Sequence, residues 1–130
     1  MVTHMPPNLP RPTEAELSIL RILWSQGPST VRQVVDQSGP GTGYTTILKL
    51  LQIMTDKGLV TRDDSERTHV FTPALPEDET QRQLVDDLLD RAFGGSAQKL
   101  VMHALAGRKP SRKELAELRQ LLNTLDTARS

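Results

Sequence analysis

Gly27-Pro28 stops the first apolar stripe of this chain while it is still short, since glycine favours a left-handed cap and proline cannot continue a helix. The stripe consists of Leu17, Ile19, Leu20, Leu23 and Trp24, at helical spacing. Pro12 precedes it, and Thr13 with Glu16 forms a capping box at its start. A second short helix follows in "TVRQVVDQSG", with Thr30 and Gln33 as another capping box and Val31, Val34 and Val35 facing inward. The turn "GPGTG" (39–43) separates it from a third, in which Ile47, Leu50, Leu51 and Met54 fall at i, i+3, i+4 and i+7. Thr45, Lys49, Gln52 and Asp56 take the opposite face, with Thr46 beside them, and Gly58 ends the helix. Two segments rich in β-branched and aromatic residues, "LVTR" (59–62) and "THVFT" (68–72), flank the polar loop "DDSER" and predict a hairpin closed by Pro73. Three short helices and a hairpin in this order predict a winged helix-turn-helix, one of the few compact ways to bury these stripes together.

From Pro76 onward the pattern is wholly helical. Leu84, Val85, Leu88, Leu89, Ala92 and Phe93 form one seam, ended by Gly94-Gly95. Ser96 caps a short helix carrying Leu100, Val101, Ala104 and Leu105, and Gly107 to Pro110 breaks it. Ser111 and Glu114 make a third capping box, after which Leu115, Leu118, Leu122 and Leu125 follow 3–4–3 spacing, an a/d seam. Short helices with stripes this apolar cannot cover them against one another alone, so a second copy of the chain is the expected cover, in a symmetric dimer. The dimerisation residues are then Leu84, Leu88, Leu89, Phe93, Leu100, Val101, Leu115, Leu118, Leu122 and Leu125. The expected fold class is mainly α with a small β-hairpin. Residues 1–8 are expected to be a disordered leader, 9–73 the winged helix and 74–127 the helical dimerisation segment.

The chain's 130 residues fit one domain, or a small domain with an appendage. The absence of cysteine removes disulfides, thiolate catalysis and Cys-ligated metals together. No apolar run approaches the roughly 20 residues of a membrane span, and no signal peptide is visible, so the expected location is cytoplasmic, with no membrane partner. His4, His69 and His103 have no metal-ligand spacing, and Asp86, Asp87 and Asp90 read as a solvated helix face. There is neither a phosphate loop nor a nucleophile elbow. No catalytic residue, metal or cofactor is therefore expected. Net charge is zero, and both halves share it: residues 1–73 hold seven Lys/Arg and seven Asp/Glu, and residues 74–130 hold nine of each. A basic face must come from arrangement in three dimensions.

The hydroxyl-rich start of the third helix points to DNA. In a helix-turn-helix the second helix of the pair enters the major groove, and its N-terminal residues reach base edges. Tyr44, Thr45 and Thr46 can bond phosphate or base, and the threonine methyls can touch a thymine methyl. Capping would account for one of these three. Lys49 lies one turn on. Ser29, Thr30 and Arg32 at the start of the second helix would hold phosphate, and Arg62, Arg67 and His69 would touch the backbone from the wing, against the repulsion of Asp63, Asp64 and Glu66. A winged helix that serves as a protein-interaction scaffold without DNA binding is the alternative, and zero net charge keeps it open.

"TEAELSILRILWSQGPSTVRQVV", "YTTILKLLQIMTDKGLVTR" and "HVFTPAL", with the "GGS" after the fourth helix, resemble the penicillinase repressor family from about Leu9 to Leu125. The resemblance implies a homodimeric transcriptional repressor. Each winged helix would read half of a palindromic operator in double-stranded DNA, and the C-terminal helices would hold the dimer. In antibiotic-linked members a membrane-bound metalloprotease sensor triggers cleavage in the dimerisation domain, so a protease-based sensor is an implied partner. Three positions depart from the family pattern. His103-Ala104 fills the place of the Asn-Phe scissile bond. The C-terminal cysteines of the copper-responsive relatives are missing. Ile53 stands where many relatives carry arginine.

Overall fold

A computed structural model describes residues 11–129, so the expected leader over residues 1–8 lies outside the described residues. The element order is α1 (Glu14–Gln26), α2 (Val31–Gln37), α3 (Tyr44–Lys57), β1 (Val60–Asp63), β2 (Val70–Pro73), α4 (Glu77–Ala92), α5 (Ala97–Gly107) and α6 (Arg112–Arg129). The chain is mainly helical with one small antiparallel hairpin, the class that the periodicity predicts. All three capping boxes form: Thr13 with Glu16, Thr30 with Gln33, and Ser111 with Glu114. Each satisfies two backbone N–H donors at a helix start and fixes where that helix begins.

The chain divides into two compact units, one running through Asp87 and one from Leu88. The division falls within α4. The start of α4 belongs with the first unit, where Thr80 is buried and the Thr80 N–H donates to Pro76 O at 3.2 Å.

In the first unit α1, α2, α3 and the hairpin enclose one aliphatic core. It comprises Ile19, Leu20 and Leu23 from α1, Val31 and Val34 from α2, Ile47, Leu51 and Met54 from α3, and Leu59, Val60 and Phe71 from the hairpin. Leu17, Trp24, Val35 and Leu50 pack at its edge, half-buried. The Trp24 indole N–H reaches Leu75 O at 3.0 Å and ties the chain leaving the hairpin to α1. This burial, at about 25 cal/mol per Å² of apolar surface, is the main source of the unit's cohesion.

The hairpin is shifted slightly from the expected segments. The paired residues run Val60↔Pro73, Thr61↔Thr72, Arg62↔Phe71 and Asp63↔Val70. Leu59 drops out of the strand because its N–H closes α3, donating to Met54 O at 2.9 Å, and Pro73 is the last paired residue rather than the first beyond the strand. Ser29 adds a further rung: its N–H donates to Phe71 O at 3.1 Å, and the Phe71 N–H returns to Ser29 O at 2.8 Å. The turn between α1 and α2 is thereby locked to the wing. That extended path also explains Gly27, which caps α1 with φ 89° and ψ −174° and so is not left-handed helical as expected. Gly58, by contrast, ends α3 in the left-handed conformation, φ 84° and ψ 16°.

In the second unit α4 ends as Gly95 N–H reaches back to Leu89 O at 2.8 Å, the long backward bond of a Schellman-type end. Ser96 caps α5 by accepting from the Lys99 N–H. Neither α5 nor α6 contains a buried residue. The Phe93 and His103 rings meet at 5.7 Å between centroids.

Candidate nucleic-acid interface

The start of α3 is open in a way its sequence did not specify. Its N-cap is Gly43, with no side-chain hydrogen bond capping the helix. Capping therefore accounts for none of Tyr44, Thr45 and Thr46, against the expectation that it takes one. All three side chains are exposed, and their hydroxyls have no partner among the described residues. The first intrahelical bond runs from the Ile47 N–H to Gly43 O at 3.2 Å, which leaves the amides of the first turn pointing outward. Uncommitted hydroxyls and a positive dipole end favour an anion or polar edge at this position. Lys49 is exposed one turn further on, and so is Ile53. Behind them Ile47, Leu51 and Met54 are completely buried and hold the helix in place.

The start of α2 lies beside this turn. The Arg32 guanidinium stacks over the Tyr44 ring at 5.2 Å, and a pair of this kind contributes about 0.5–1 kcal/mol at an exposed site. Thr30 accepts the Gln33 N–H through its hydroxyl and retains that hydroxyl's own hydrogen for a further acceptor. Ser29 has to be removed from the expected phosphate contacts. It is buried, its backbone is bonded to Phe71, and its hydroxyl donates to Gly27 O at 2.8 Å while accepting from Gln26 at 3.0 Å. Its position in the rung to β2 turns it inward.

The donors of the wing, Arg62, Arg67 and His69, are arranged unequally. Asp64 Oδ1 lies 2.8 Å from Arg62 Nε and 2.6 Å from His69 Nδ1, so one carboxylate engages both. Arg67 is exposed and has no partner among the described residues. Asp63 accepts the Ser65 N–H at 2.9 Å, a bond that holds its carboxyl below the ordinary carboxylate range.

The profile of the penicillinase repressor family matches residues 12–124. The chain belongs to that family. Its relatives include the penicillinase repressor of Staphylococcus aureus, 24% identical over 113 residues that cover 85% of this chain and 90% of the relative. The penicillinase repressor of Bacillus licheniformis is 24% identical over 120 residues, 88% and 91% of the two chains. The transcriptional regulator BlaI of Mycobacterium tuberculosis is 33% identical over 99 residues, 73% and 72% of the two chains. A crystal structure of a transcriptional regulator from Thermotoga maritima superposes with a TM-score of 0.50 at 16% identity, covering 89% of this chain and 77% of the other, a likeness of fold. The family is one of transcriptional repressors and not of enzymes. No helix among the described residues is long and apolar enough to cross a membrane.

Sequence reasoning missed one support of the repressor's α3. Glu16 was legible only as a capping-box acid, yet it is buried and bonded at 2.7 Å to Lys57 Nζ, in the last turn of α3. Lys57 also donates to Arg11 O at 3.2 Å. Burial alone would raise the Glu16 carboxyl, but the hydrogen bond and charge of Lys57, together with the Thr13 bonds, outweigh it and leave the group below its ordinary value of 4.5. The partners stand 41 residues apart, a separation that no local pattern bridges.

Proposed function

We propose that this repressor acts as a homodimer on a palindromic operator in double-stranded DNA, with α3 in the major groove and the wing on the sugar-phosphate backbone. The observation that carries the reading is the uncapped, hydroxyl-bearing first turn of α3, backed by a fully buried face. Tyr44, Thr45, Thr46 and Lys49 would meet the duplex, Thr30 and Arg32 would hold phosphate, and Arg67, with Arg62 and His69, would ride the backbone. Residues 9–73 carry this work and residues 74–127 join the two copies through the leucine seam. The half-exposed or exposed state of Leu88, Val101, Leu122 and Leu125 in the single chain supports that role. Each winged helix alone binds weakly, and tethering two raises the effective concentration of the second. The protein would work in the cytoplasm. A protease-based sensor acting on the second unit belongs to the same reading, although His103-Ala104, which replaces the family's Asn-Phe bond, argues against a cut at that position.

Lys49→Ala should weaken binding to every duplex and reduce the log–log salt slope by about 0.9, one phosphate contact. Thr46→Ala should relax preference at one base position, at about 1–3 kcal/mol of discrimination. Titration of both variants against duplexes selected from genomic fragments measures this. Unchanged affinity and preference in both would remove α3 as the reading element. Salt-independent behaviour of the parent protein would favour the protein-interaction scaffold.

A further inference from the structure

We propose that Asp64 is an intramolecular substitute for a DNA phosphate, which holds Arg62 and His69 in the free protein and sets how strongly the wing engages the backbone. This rests on the DNA-binding reading above and adds a residue that opposes it. One Asp64 oxygen takes the hydrogen-bond positions that a phosphate oxygen would take, 2.8 Å from Arg62 Nε and 2.6 Å from His69 Nδ1. Both are charge-assisted or short contacts of the kind that phosphate forms with these groups. All three side chains are about half exposed, with 40% for Arg62, 51% for Asp64 and 50% for His69, so the cluster faces solvent and a duplex can compete for it.

Solvent exposure makes the arrangement exchangeable. An ion pair in such a position is worth about 0–1 kcal/mol, and phosphate oxygens can displace the carboxylate at small cost. While the carboxylate stays, however, Arg62 brings little net charge to the duplex and releases few counterions from it. The neighbouring acid is differently placed. Asp63 accepts the Ser65 N–H and takes neither Arg62 nor His69 in hand. Arg67, unpaired among the described residues, is then the wing cation available without exchange.

The test compares Asp64→Asn with Asp63→Asn on a mixed-sequence duplex across a salt series, since both variants add the same charge and only the first frees Arg62 and His69. Asp64→Asn should bind about twofold to fivefold more tightly at low salt, the range of one exposed pair, with a slope steeper by about 0.9. Asp63→Asn should change both quantities less. Arg62→Ala should lose more affinity in the Asp64→Asn background than in the parent, a positive coupling in the double-mutant cycle. An unchanged Asp64→Asn, or an Asp63→Asn of equal effect, would overturn the proposal. Lys49→Ala on the same duplex separates the failures. A loss there with an inert Asp64→Asn overturns the wing device alone, and no response in either overturns both readings. A gain in Asp64→Asn beside an inert Lys49→Ala leaves the wing device standing and removes the Lys49 contact, and an inert Thr46→Ala as well would remove α3.

Discussion

Both units of this chain are built on leucine and valine stripes, and they dispose of them in opposite ways. The N-terminal unit closes its stripes on one another, so that Leu23, Val34, Leu51, Met54 and Phe71 lose essentially all contact with water. The C-terminal unit leaves its own open. Seven of the ten large apolar side chains exposed among the described residues lie from Leu88 onward, and α5 and α6 bury nothing. Three helices crossing a hairpin present stripes from several directions to one centre, whereas the second unit has no sheet to back its helices. Exposed apolar surface on this scale marks an interaction face. The contrast teaches that one half closes its stripes within the single chain and the other leaves its own open, as the proposed dimer requires.

The largest expected effect attacks that company. Leu118→Asp with Leu122→Asp should give monomers in sedimentation and lower operator affinity by about 10²–10⁴-fold, because the second winged helix is no longer tethered. A stable dimer in that variant would show that the seam lies elsewhere. A smaller effect should follow in the N-terminal unit from Leu51→Ala, which empties a site of 0% exposure. About 2–5 kcal/mol of stability should be lost in denaturant titration, with the dimer otherwise intact. A similar loss from Leu122→Ala in a dilute, monomeric sample would contradict the contrast, since that residue is 63% exposed.

The smallest effect concerns the Glu16–Lys57 pair. Glu16→Gln should cost about 1–3 kcal/mol at neutral pH, through the weakened bond to Lys57. Its acid limb should also flatten. The folded carboxyl sits below its ordinary 4.5, so folding binds fewer protons there than the unfolded chain does. The contribution is therefore fully present above that value and is lost as pH falls through the lowered folded-state value. Thermal melts of parent and variant between neutral and acid pH read this directly, and parallel acid limbs would exclude the pair as their source.

Much of the first unit was legible because its signals are local. Capping boxes act over three residues, the apolar faces over seven, and Gly58 and Gly27-Pro28 punctuate them, so every helix and the hairpin appear near their expected places. The misplacements have local causes as well: Leu59 serves α3 with its N–H, and Pro73 sits inside the last pair. The site was less legible. Tyr44, Thr45, Thr46 and Lys49 are exposed as a hydroxyl-rich helix start suggests. Ser29 looked identical to Thr30 in sequence, yet the rung to Phe71 faces it inward.

By itself, then, the order of residues determined the helices, their capping boxes, the hairpin and the family, since those depend on dihedral preference and on spacing within a few residues. Tertiary structure alone decided which polar groups remain uncommitted. The α3 hydroxyls are open because the core takes Ile47, Leu51 and Met54 and leaves Tyr44, Thr45 and Thr46 outside it, Asp64 is engaged because the hairpin folds His69 and Arg62 around it, and Glu16 is buried because α3 ends against α1. A hydrogen bond or ion pair is satisfied by whatever the fold brings within about 3 Å, and sequence distance carries no record of that.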